Sequence, residues 1–164
     1  MRRPLTLLPN ARHSVSPSDV YWIINTALEV SPKLLFSDPK RYRRVRDRLL
    51  YGRYSAGAAC QLFGELKNIA RGQPAPTKAD DEDVPGYGYT LRGKAVTENM
   101  IRSAAELAAS ACVTLLVEYP AQRLEDREAR LKVMVEEGSW RVPKPWRRKA
   151  YARAQSDVRA LMGG

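Results

Sequence analysis

The sequence predicts an all-α protein: a helical bundle of about five to six helices, built as two three-helix halves joined by a long loop. Three observations predict it. Apolar residues recur at the helical period in almost every segment, and no convincing strand alternation interrupts them. Ser, Thr and Pro stand where helices should start, and Gly or Pro where they should stop. One stretch, 72–93 (GQPAPTKADDEDVPGYGYTLRG), loses the period; its three prolines, four glycines and acidic cluster mark a linker or long surface loop. The expected organisation is an N-terminal basic helical half at 1–71, the linker at 72–93 and a C-terminal helical half at 94–164, sharing one core.

The elements follow in order. Ser16-Pro17-Ser18-Asp19 combines a serine cap, a proline at the first helical position and an acid in the first turn, and opens a helix to about Val30. Ser37-Asp38-Pro39 starts a second, which breaks near Gly52. Ser55 caps a third, closed by Gly72 with Pro74 beyond. After the linker, Thr97 caps an alanine-rich helix to about Tyr119, stopped by Pro120. Gln122 to Glu137 forms a fifth, with Asp126–Arg130 and Glu128–Lys132 at supportive i,i+4 spacing, and Gly138 ends it. Pro143 and Pro145 precede a last helix to about Met162, whose expected buried stripe is Trp146, Ala150, Ala154, Val158 and Leu161.

Composition narrows the function classes. Hydrophobic content of 44% with 28% charged residues supports a packed core. No apolar stretch reaches the roughly 18 residues of a membrane span; the best, Ala104 to Val117, carries Glu106 and reads as a core helix. The N-terminal MRRPLTLLPNARHSV has too little apolar sequence for a cleaved signal. Cys60 and Cys112 stand alone in apolar contexts, which suits buried reduced thiols in a cytoplasmic protein.

Catalytic equipment is sparse. The single histidine, His13, lies in the irregular N-terminal segment without a sequence partner, and no nucleophile–base or paired-carboxylate arrangement stands out. Gly88 to Lys94 (GYTLRGK) fits GxxxxGK, but Ala95 replaces the metal-holding hydroxyl and no strand precedes it. Asp80 to Asp83 lacks the spacing of a calcium loop. Tyr54 to Arg71 only faintly suggests a helix-turn-helix, and one continuous helix through Gly64 explains it as well. The expectation is no enzyme, no cofactor and no metal.

Charge is the informative property. The chain has 28 Lys and Arg against 18 Asp and Glu, a formal +10. Arginine outnumbers lysine, as a GC-rich genome alone would produce, so clustering carries the argument rather than the count. Lys40 to Arg53 (KRYRRVRDRLLYGR) holds seven bases and one acid, Asp47; Lys144 to Arg153 (KPWRRKAYAR) holds five bases and no acid. On the second helix Tyr42, Val45 and Leu49 form the core stripe, Arg41, Arg44 and Arg48 share that spacing on a neighbouring flank, and Arg43 and Arg46 project elsewhere. A row of permanently charged bidentate donors suits a phosphate backbone; engagement of about five phosphates gives a log–log salt slope near −4.5 on duplex DNA. The candidate nucleic-acid-binding residues are Arg41, Arg43, Arg44, Arg46, Arg48 and Arg53, with Lys144, Arg147, Arg148, Lys149 and Arg153 from the last helix. Against this stands a solvated face whose arginines cover apolar surface or pair with distant acids. Tyr42, Tyr51 and Tyr151 are able to stack on bases, although their spacing suits partly buried positions better.

In size, helical content and two-part layout, with KRYRRVRDR at 40–48 and WRRK at 146–149, the chain resembles the small subunit of multi-subunit CRISPR effector complexes. The resemblance implies a non-catalytic bundle in an antiviral ribonucleoprotein. Copies would stack along the crRNA-bearing backbone and hold target or displaced strand through nonspecific sugar-phosphate contacts. Its partners would be RNA or single-stranded DNA, other subunits and further copies of itself, with no membrane. Two other classes share the charge pattern: a phage virion assembly protein, such as a small terminase subunit or head–tail connector component, and a protein-binding adaptor or inhibitor.

Overall fold

Six helices and one short hairpin make up the computed structural model, which describes residues 11–29, 38–50, 52–76, 89–91, 94–118, 124–136 and 144–163. Helix α1 is Pro17–Ala27. Its start is a full capping box: the Ser16 hydroxyl accepts from the Asp19 amide, and Asp19 Oδ2 accepts from the Ser16 amide at 2.9 Å. The helix ends at Ala27, short of the expected Val30. Helix α2 is Pro39–Leu50, and Asp38 caps it by accepting from the Arg41 amide at 3.2 Å. Gly52, at φ +71°, then turns the chain in a left-handed conformation that a side chain would resist. That turn lets the segment at Arg12 pair with Tyr54, Arg12 N donating to the Arg53 carbonyl and Ser55 N to that of Arg12.

Helix α3, Ala56–Ala70, is capped by Ser55 and continues through Gly64, so the chain has no turn where a helix-turn-helix needs one. The expectation of no strand is corrected on a small scale. Thr90–Leu91 (β1) and Lys94–Ala95 (β2) pair antiparallel, Thr90 opposite Ala95 and Leu91 opposite Lys94. Two residues per strand are too short to show alternation. This hairpin places Lys94 in a strand rather than at the head of a phosphate-cradling helix.

Helix α4, Glu98–Glu118, begins where Thr97 Oγ1 accepts from the Met100 amide. Helices α5, Leu124–Glu136, and α6, Lys144–Leu161, follow. Helix α4 contacts the five other described helices, most extensively α3, while α5 lies along α6. Its small residues Ala104, Ala105, Ala108, Ala109 and Ala111 are buried, which allows that close approach. By length and composition α4 could cross a membrane, a longer apolar span than the sequence suggested, and most of it is enclosed by neighbouring helices. Ile23, Ile24, Leu62 and Leu66 from α1 and α3, with Leu115 and Leu116 of α4 itself, are fully buried; each contributes about 1.5–3 kcal/mol of apolar burial.

Arg130 is buried and pairs with Asp157 of α6 through Nε and Nη2; the side chain of Asp126, expected beside it at i,i+4 spacing, lies outside the described residues. The expected stripe of the last helix is corrected. On α6 the buried stripe runs through Trp146 and Asp157, with Ala150, Arg153 and Ala154 half-buried, whereas Val158 and Leu161 are exposed. The Arg130 partner draws position 157 inward and rotates position 158 out. Ser37, Pro120, Gly138, Pro143 and the acidic cluster Asp80 to Asp83 lie outside the described residues.

Candidate nucleic-acid interface

Helix α2 separates into two faces. Tyr42, Arg46, Leu49 and Leu50 are buried, and Lys40, Arg41, Arg44 and Arg48 are exposed. At about 100° per residue these exposed positions share one arc opposite the buried one. The solvent face of α2 is therefore uniformly basic, with Asp47 half-buried at its margin. Lys40 joins this row although the sequence reading selected only the arginines.

Arg46, counted among the candidate binding residues, is instead a core residue. Its guanidinium is fully buried: Nη2 donates to Glu118 Oε2 at 2.7 Å and to Asp47 Oδ1 at 2.8 Å, Nε reaches the same Asp47 oxygen at 3.0 Å, and Nη1 points to the Thr114 carbonyl at 3.4 Å. Arg43, about one-third exposed, stands 3.7 Å from the second Glu118 oxygen. Both serve the C-terminal end of α4, where carbonyls lack helical partners and the dipole is negative. Two arginines from the other side complete this arrangement. Arg130 Nη1 lies 3.4 Å from the Leu116 carbonyl, and Arg153 Nε donates to that of Val117 at 3.2 Å. Burial, and then the nearby Arg130 charge, lower the Arg153 pKa from its ordinary value. Arg153, expected to face outward, is a half-buried helix cap.

Trp146 brings the second basic run to the first. The indole is buried at the start of α6, 5.2 Å from the Tyr42 ring, with the Arg43 and Arg46 guanidinium carbons 5.1 and 5.8 Å from its centroid. It is a core residue and not a base platform. Arg147, Arg148 and Lys149 follow it directly and are exposed; the side chain of Lys144 lies outside the described residues. Thus Trp146 ties the start of α6 to the buried side of α2, while Arg147, Arg148 and Lys149 are exposed on α6.

Arg53, beyond the α2 break, is exposed and stacks over Trp22 of α1 at 4.8 Å, a cation–π pair with the indole 40% exposed. Nothing in the spacing of Trp22 announces that pairing. Tyr42 is not a surface aromatic: its hydroxyl shares a 2.8 Å hydrogen bond with Ser110, and burial pushes its pKa up to about 12. Tyr51 lies outside the described residues. Tyr151 is 69% exposed.

Cys112 is fully buried, which raises its pKa and suppresses the thiolate. His13 is exposed in the segment before α1. Among the described residues no cluster of three His, Cys, Asp or Glu side chains could hold a metal ion. Comparison of the chain with protein-family models, with curated proteins and with solved structures finds no match.

Proposed function

We propose that this protein is a non-catalytic nucleic-acid-binding subunit of a larger ribonucleoprotein assembly, contacting the sugar-phosphate backbone without sequence preference. The observation that carries this reading is the solvent face of α2, where Lys40, Arg41, Arg44 and Arg48 share one arc without an acid. Arg147, Arg148 and Lys149, exposed on α6, supply further charges for a polyanion. Arg53 adds a charge beyond the end of α2. A row of guanidinium groups on a rigid helix engages successive phosphates while reading no base edges, so affinity would be electrostatic and strongly salt-dependent.

Within this reading the chain works in the cytoplasm beside other subunits or further copies of itself, as the small subunit of a CRISPR effector complex does. Exposed Val158, Leu161 and Met162 near the end of α6 favour such a protein contact. The same residues keep a virion assembly component or a protein-binding adaptor as the second reading. The test is Arg41→Glu, Arg44→Glu and Arg48→Glu combined, titrated against labelled single-stranded RNA, single-stranded DNA and duplex DNA. Loss of binding in a variant of unchanged helicity is the expected result. Binding at wild-type affinity would remove α2 from the interface, and a wild-type protein that binds only a protein partner would select the second reading.

A further inference from the structure

Tyr151 differs from the other described tyrosines. Tyr21 stacks on Tyr89 at 4.9 Å, and the hydroxyls of Tyr42, Tyr54 and Tyr89 bond to Ser110, Asp19 and the Pro76 carbonyl respectively. Tyr151 instead leaves 69% of its surface in solvent at the middle of α6. One turn earlier on its side of the helix are Arg147 and Arg148, and one turn later is Gln155, all exposed. Helical side chains lean toward the N-terminus, so the ring is directed over the turn that carries the two arginines. The only acid of α6, Asp157, is buried against Arg130, which leaves the exposed charges of this helix wholly basic.

We infer that Tyr151, with Arg147 and Arg148, forms a base-stacking site that makes single-stranded nucleic acid the preferred ligand. This inference rests on the nucleic-acid reading above. A nucleotide carries a flat base and a phosphate a few bonds apart, and α6 offers a ring face and guanidinium groups one helical turn apart. Unpaired bases expose their faces to an aromatic ring, whereas duplex bases keep theirs within the stack. The charged flanks also favour a polyanion over an apolar protein surface at this spot.

The test titrates the full chain by fluorescence anisotropy against a labelled oligothymidylate and an abasic sugar-phosphate strand of equal length. Wild type is compared with Tyr151→Ala, Tyr151→Trp and the α2 charge-reversal variant, with melting temperatures recorded for each. Tyr151→Ala should weaken oligothymidylate binding about fivefold or more and leave the abasic strand unaffected, while Tyr151→Trp retains affinity. If Tyr151→Ala binds oligothymidylate like wild type while the α2 variant does not, the stacking site is refuted and the backbone reading stands. Equal losses on both strands also refute it, since no base is then involved. A wild-type protein that binds neither strand overturns both proposals together.

Discussion

Replacing Glu118 with alanine would leave the buried Arg46 guanidinium with Asp47 alone as its carboxylate partner. A buried guanidinium that loses one of its two carboxylates is under-compensated, so Glu118→Ala should destabilise the fold by about 2 kcal/mol, read as a lower urea midpoint. Arg46→Met removes the charge together with its demand for partners and should cost less. Because Arg46 does not reach the surface, folded Arg46→Met should bind oligonucleotides like wild type; a large affinity loss would return it to the interface. Tyr42 supplies a pH test. Its folded pKa is about 12 against an ordinary 10, so below pH 10 both folded and unfolded chains keep the proton and stability is unaffected. Between pH 10 and 12 the unfolded chain releases it first, and stability falls as pH rises, by about 1.4 kcal/mol per pH unit at most. Tyr42→Phe should lose about 1 kcal/mol near neutral pH with the Ser110 hydrogen bond, yet show a shallower alkaline decline in chemical denaturation. An unchanged alkaline slope would contradict the burial argument. Apart from Asp47, these partners are distant in sequence: Glu118 lies 72 residues from Arg46 and Ser110 68 from Tyr42. A local reading sees the seven bases and one acid of the run and cannot see the acid that arrives from α4.

At the scale of elements, helix starts were the most legible feature because capping chemistry is local. Ser16, Ser55 and Thr97 each cap the helix expected of them. The hairpin at 90–95 was not legible, being too short to carry a period. The solvent face of α2 could be read because three of its charged residues share one spacing, and the structure adds Lys40. The face of α6 could be read only in part. Its first turns follow the apolar stripe from Trp146, but the Arg130–Asp157 pair sets its later orientation, and that pair joins two helices. The combined Arg41→Glu, Arg44→Glu and Arg48→Glu variant belongs to this scale. It alters one exposed arc and no buried contact, so helicity and melting temperature should stay near wild type while binding is lost. A variant that unfolds would mean these side chains support the bundle.

For the whole molecule, a formal +10 charge is divided between two tasks. Arg43, Arg46, Arg130 and Arg153 serve the carboxylates and carbonyls around the end of α4, where they tie α2, α5 and α6 to the central helix. Lys40, Arg41, Arg44 and Arg48, with the exposed bases at the start of α6, remain on the outside. That division leaves fewer of the expected residues for phosphates than a charge count suggests and places them on the exposed sides of α2 and α6. The most direct measurement is the affinity of the wild-type chain for a labelled single-stranded oligonucleotide over a series of salt concentrations. With about five phosphates engaged, log affinity for a single strand should fall against log salt with a slope near −3.5. A slope near zero, or no binding at low salt, would contradict the claim that this basic surface holds a nucleic-acid backbone.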